Sequence, residues 1–110
     1  MTLHRSELLQ GTLDLLILRI LALGPMHGWA ISQRLDQVSA AVLQVNQGSL
    51  YPCLHRLERR GWLASSWGAT PDGRRAKFYA LTRNGRGRLA EEMKAWRSLS
   101  EAVNQVLDLA

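Results

Sequence analysis

Wound as a helix, residues 8 to 23 carry leucine and isoleucine on nearly every face, and Gly24-Pro25 then ends the run. A helix apolar all round must be buried on all sides, so the rest of the chain has to build a shell around it. With 110 residues the chain makes one domain. A domain of this size buries about two-thirds of the surface its unfolded chain exposes, so it gains from a partner. The apolar run does not fit a bilayer, because Leu13 to Leu23 is short and carries Asp14 and Arg19. Glu7 sits near Arg5, and no small-residue cleavage pattern follows the apolar stretch, which predicts a cytoplasmic chain without a membrane partner. Cys53 is the single cysteine, so an internal disulfide is excluded, in keeping with a reducing compartment.

The shell is legible in order. Met26-His27-Gly28 opens a second helix, in which Ile31, Leu35 and Val38 form one apolar stripe between Gln33, Arg34 and Gln37. Ala40 to Val45 reads as a connector. Asn46 suits the N-cap of a third helix, whose buried stripe is Leu50, Cys53, Leu54 and Leu57, and Gly61 supplies its stop. Pro52 conflicts with that helix: either it starts near Ser49, or its second turn is distorted. A β-hairpin follows, from Trp62 to Gly68 and from Arg75 to Thr82, around the turn sequence Pro71-Asp72-Gly73. Thr82 can cap a last helix, and Gly85 and Gly87 weaken its first turns by up to about 1 kcal/mol each. Farther along, Trp96, Leu99, Val103, Val106 and Ala110 step by three and four, with Leu89 and Met93 leading in, which is a heptad seam.

Charge is concentrated rather than spread. The net charge is +5, yet residues 55 to 88 hold nine basic side chains against Glu58 and Asp72, so that segment is +7 and the remainder −2. Such a field points to a polyanion, although a solvated basic face is its plain alternative. Three helices followed by a hairpin is the order of a winged helix-turn-helix, in which the third helix enters the major groove. The outward face of that helix carries Gln47, Ser49, Tyr51, His55, Arg56 and Arg59, side chains suited to base edges and phosphates. The hairpin adds a basic tip of Arg74, Arg75 and Lys77. The fold class is therefore mainly α with a small β-hairpin: a winged helix-turn-helix over 1–82 and a long C-terminal dimerisation helix over 83–110, together one compact unit.

Three runs carry a family resemblance: Met26-His27-Gly28-Trp29-Ala30-Ile31, the stretch from Asn46 to Leu63, and Gly73-Arg74-Arg75-Ala76-Lys77-Phe78-Tyr79-Ala80-Leu81-Thr82. In that order they resemble PadR-type transcriptional regulators over roughly residues 9 to 100, in the compact branch with a single C-terminal helix. The resemblance implies a winged-helix homodimer that represses transcription at a double-stranded DNA operator. Tyr51, its neighbours on the third helix and the wing Arg and Lys would then touch the operator. It also favours the longer third helix, since the family tolerates proline at this position. The dimer interface is expected at Leu89, Met93, Trp96, Leu99, Val103 and Val106. Trp96 is either an anchor of that interface or, as in some similar proteins, a platform for a small aromatic effector. Of the other tryptophans, Trp62 is expected beneath the wing, Trp67 half exposed in its strand and Trp29 in the core.

Other chemistry finds little support. His4, His27, His55 and Cys53 lack metal-ligand spacing, so no metal and no cofactor is expected. Asn84-Gly85-Arg86-Gly87 lacks the Walker pattern, and no Ser/His/Asp constellation is suggested, so the chain is not expected to be an enzyme. A protein-interaction adaptor that has lost DNA binding would be marked by loss of the wing charge, and that charge is present.

Overall fold

The computed structural model describes residues 12–110. The central helix, α1, spans Leu13–Leu21, and Leu13, Ile17, Leu18, Ile20 and Leu21 are buried. Its expected start at residue 8 lies outside the described residues, as does His4. Leu23, just beyond its end, is exposed.

Met26–His27 forms a short strand, β1, where the sequence suggested only the opening of a helix. Two residues are too few to show an alternating pattern, so the strand is set by its partner and not by its own sequence. His27 also caps the following helix, α2 (Gly28–Val38), its Nδ1 accepting from the Ala30 N–H at 3.3 Å. Ile31 and Leu35 of α2 are buried as expected, whereas Val38 is exposed. The chain leaves the helix directly after Val38 and turns away with Ala40 and Ala41 in the left-handed region, at φ 51° and 68°. Trp29 is a second correction: expected in the core, it is exposed. It lies two residues from Ile31 and six from Leu35, which puts it on the opposite side of the helix.

The third helix, α3, runs unbroken over Gln47–Arg59 with Pro52 inside it, so the longer of the two expected helices forms. The Asn46 side chain accepts from the Ser49 N–H at 2.9 Å. At the other end Gly61 has φ +79°, and its N–H donates to the Glu58 carbonyl at 2.9 Å. The Trp62 N–H reaches back to the Leu57 carbonyl at 3.1 Å, completing a Schellman stop. Only a glycine takes that left-handed position without steric cost.

β2 (Leu63–Ala69) and β3 (Arg75–Leu81) pair antiparallel from Leu63 opposite Leu81 to Ala69 opposite Arg75. β1 joins the other edge of β3, Met26 opposite Tyr79, so the sheet order is β1-β3-β2. The last helix, α4, spans Arg83–Leu107. Its first turn, expected only to be weak, is a close contact instead. A Cβ on Gly85 would overlap the Trp62 carbonyl oxygen and stand 2.7 Å from a Leu81 methyl. Nothing lies within 4 Å of the same position on Gly87. One core joins the elements, with Ile17, Leu18, Leu21, Ile31, Leu50, Leu54, Leu57 and Tyr79 almost fully buried. Leu89 is buried in that same core and Met93 packs against it, so both serve the core of this chain.

The two glycines of α4 should therefore respond oppositely to alanine. Gly85→Ala is expected to cost about 1–3 kcal/mol, because backbone has to move. Gly87→Ala should stabilise by up to about 1 kcal/mol. Urea unfolding midpoints of the two variants check both signs.

Candidate nucleic-acid interface

The inward face of α3 is held by more than leucines. The Cys53 thiol donates to Asp14 Oδ1 of α1 at 3.0 Å, and the Arg56 guanidinium forms an ion pair with the same carboxylate. Arg56 also lies 3.4 Å from the Cys53 sulfur. Arg56 is thus tied back to α1 and does not stand on the outward face where its position on the helix had suggested it. Burial, then the hydrogen bond and the negative charge of Asp14, push the Cys53 thiol up from its ordinary 9.0 to about 12. The thiol is kept protonated, which makes it a poor nucleophile.

The outward face of α3 presents Gln47, His55 and Arg59 to solvent, with Ser49 and Tyr51 half-buried beside them. Tyr51 leans toward the start of α2. A Cβ on Gly28 would stand 2.6 Å from its hydroxyl oxygen, so the missing side chain there makes room for the phenol.

Alternation along the hairpin puts Trp67 on one strand, and Arg75, Lys77 and Tyr79 on the other, on a single face of the sheet. Tyr79 fills the core, and burial, with the charge of Glu58, holds its hydroxyl above the ordinary tyrosine range. Lys77 comes next, its Nζ 3.7 Å from the Glu58 carboxylate, which the Ser65 hydroxyl also reaches. Lys77 therefore braces the base of the wing against α3 and is not part of its tip. Arg75 stands farther out, its guanidinium 4.7 Å from the centre of the Trp67 ring. The tip itself is ordered by Gly73 at φ +85° and by the Thr70 N–H donating to the Arg74 carbonyl at 2.8 Å. Arg74 is exposed there, its Nε 3.4 Å from the Asp72 carboxylate. Between α3, the start of α2 and this face of the wing runs an open groove of about 850 Å³, which Tyr51, His55, Trp29, Trp67, Arg75 and Lys77 help to line.

Not all of the basic segment faces that groove. The guanidinium groups of Arg60 and Arg88 lie 5.2 and 4.7 Å from the centre of the Trp62 ring, which packs against the core. Arg88 also pairs with Glu92 at 2.6 Å. Arg59 and Arg75 pair with no carboxylate among the described residues. The sequence pattern thus placed Gln47, Ser49, Tyr51, His55, Arg59, Arg74 and Arg75 on the helix and wing that flank one groove. It misplaced Arg56 and missed Trp29. Among the described residues no group of His, Cys, Asp and Glu could hold a metal ion, and no helix is long and apolar enough to cross a membrane.

A three-helix core that offers one helix face beside a basic hairpin is a winged helix-turn-helix, a DNA-binding fold. The chain belongs to the transcriptional regulator PadR-like family, whose sequence profile matches residues 17–91. Its members are transcriptional regulators, not enzymes. The chain is 35% identical over 97 residues to the transcriptional regulator Rv3488 of Mycobacterium tuberculosis, covering 88% of this chain and 87% of that one. It superimposes on a PadR-like transcriptional regulator of Bacillus cereus with a TM-score of 0.82 at 28% identity, over 96% of this chain and 100% of that one. For a PadR family regulator of Eggerthella lenta the TM-score is 0.80 at 32% identity, over 94% and 88% of the two chains.

The clamp at Cys53 has a pH signature. Its thiol titrates higher when folded than when unfolded, so this contribution to stability is complete below pH 9.0 and fades as pH rises toward about 12. Cys53→Ala should flatten the fall of unfolding free energy over that window relative to the wild type. Equal slopes for both proteins would show that the thiol is not held protonated.

Proposed function

We propose that the protein is a homodimeric repressor that reads a two-fold symmetric operator with α3 and grips the flanking backbone with the wing. The observation that carries this reading is the shared groove: Tyr51 and His55 of α3 line it together with Arg74 and Arg75 of the wing, and Gln47 and Arg59 are exposed on the same helix. Polar side chains on α3 can read base edges, while guanidinium groups that reach solvent bind phosphates without regard to sequence. Such a regulator acts where the DNA is, in the cytoplasm. Repression follows if a dimer seated on its operator excludes other proteins from that stretch.

The dimer reading rests on α4. Trp96, Leu99, Val103 and Val106 are exposed along one stripe of a helix that runs past its own domain. Leu89 and Met93 contribute to the protomer core, so the seam proposed for the partner begins at Trp96. In this division 1–82 binds DNA and 83–110 joins the subunits. Burying the stripe in both copies contributes on the order of 10 kcal/mol gross, as an upper bound before association costs. A two-fold axis near Trp96 would bring two indoles face to face, where a small aromatic effector could stack between them.

Selection from a pool of random duplexes should return a symmetric site with half-sites about one helical turn apart or a small multiple of it. Arg75→Ala should weaken binding to all duplexes and lower the salt slope by about 1. Gln47→Ala and Tyr51→Phe should instead change which bases are preferred, by roughly 1–3 kcal/mol per lost base contact. An unenriched pool and salt-insensitive binding would leave the adaptor reading in place.

Removing residues 96 to 110 should abolish the dimer in sedimentation while leaving Leu89 and Met93 in the core, and an intact truncated dimer would move the interface elsewhere. Planar aromatic compounds titrated against wild type and Trp96→Leu separate the two readings of Trp96. Weaker binding by the variant supports an effector site, whereas a less stable dimer alone makes Trp96 a packing anchor.

A further inference from the structure

Trp29 and Trp67 are 55% and 61% exposed. They come from separate elements, the first turn of α2 and the middle of β2, yet both line the groove that faces α3. Neither serves the core, and neither lies on the stripe of α4. Single exposed apolar side chains are ordinary, but large ones gathered on one groove mark a binding surface.

Charge says what the groove would hold. Its wing side carries Arg74, Arg75 and Lys77. Apolar walls beside cations match a polymer whose sugars present apolar faces and whose phosphates carry the charge. We propose that this groove seats one sugar–phosphate strand of the bound duplex, with Trp29 as its wall and Trp67 as a positioning residue that holds Arg75 against a phosphate. The proposal rests on the DNA-binding reading above and adds two residues that the sequence had assigned to the core or to the strand surface.

The role of Trp67 follows from the Arg75 geometry. A guanidinium stacked on a ring uses its face and leaves the N–H donors along its edge free for a phosphate. A wing arginine otherwise samples many rotamers and loses that freedom on binding. With its guanidinium 4.7 Å from the Trp67 ring centre, Arg75 has a partner that narrows its rotamers before DNA arrives. Trp29 contributes differently, covering sugar surface and offering an indole N–H, which is a donor only.

Affinity measured against salt concentration, for the selected operator and for a random-sequence duplex, tests this. Trp67→Leu should weaken both duplexes about three- to fivefold with the salt slope unchanged, because the Arg75 charge remains. Trp67→Phe should recover part of the loss. Added to Arg75→Ala, Trp67→Leu should change affinity by less than about twofold, since the group it orders is gone. Trp29→Leu should weaken both duplexes alike, again without altering the slope. Thermal unfolding of each variant should stay near that of the wild type, as both side chains are mostly in solvent. Wild-type affinity in Trp29→Leu or Trp67→Leu overturns the proposal, and so does an equal Trp67→Leu loss with and without Arg75. A wild type that binds neither duplex removes the DNA-binding reading itself, a result that no variant comparison could imitate.

Discussion

Three elements meet at the carbonyl of Trp62. It accepts the Thr82 N–H at 3.1 Å, and the α carbon of Gly85 approaches it so closely that a Cβ would overlap it. Beside it the Thr82 hydroxyl donates to the Gly61 carbonyl at 2.7 Å while accepting the Gly85 N–H at 3.0 Å. The stop of α3, the first residue before the wing and the cap of α4 are therefore one hydrogen-bonded knot. Any rotation of α4 has to be taken up there, because packed backbone does not deform gradually. The angle between α3 and α4 is set at this point.

From that knot α3 runs back along α1. Leu50, Leu54 and Leu57 are fully buried, each worth about 1.5–3 kcal/mol relative to exposure. The trio of Asp14, Cys53 and Arg56 adds direction to what is otherwise a non-directional contact. Lys77 and Glu58 do the same between α3 and the wing, at a half-exposed site where the ion pair itself adds little free energy. Several basic residues of the +7 segment thus pair with carboxylates of their own domain and orient its elements. Charge density along a sequence measures the field of the domain, which depends on the sum. It does not identify contacts, which depend on what each side chain meets first.

Much of the candidate interface was still legible. Asn46 and Gly61 bracket α3 because capping is chemistry of the local backbone, and the apolar spacing of Leu50, Leu54 and Leu57 decides which face remains outside. Arg56 was misplaced because helical position says which way a side chain starts, not where a long one ends. Trp29 stands outside the core despite its apolar ring, because its offset from Ile31 and Leu35 puts it on the far side of α2.

The sequence by itself determined the order of the helices and the hairpin, the caps at Asn46 and Thr82, the left-handed stop at Gly61, the turn around Gly73 and the apolar stripe of α3, all of which depend on neighbours a few residues away. Only the tertiary structure decided that Met26 and His27 form a strand, since a two-residue strand exists through its pairing with β3. Only the tertiary structure turned Gly85 from a weak helix residue into a required one, because its cost is local and its benefit lies at Trp62. Tertiary structure likewise settled which cations are held by a carboxylate of the domain, as Asp14 and Glu58 are remote in sequence from Arg56 and Lys77. Local signals specify which elements form, but the groove is made by side chains from elements that meet only after the chain has folded.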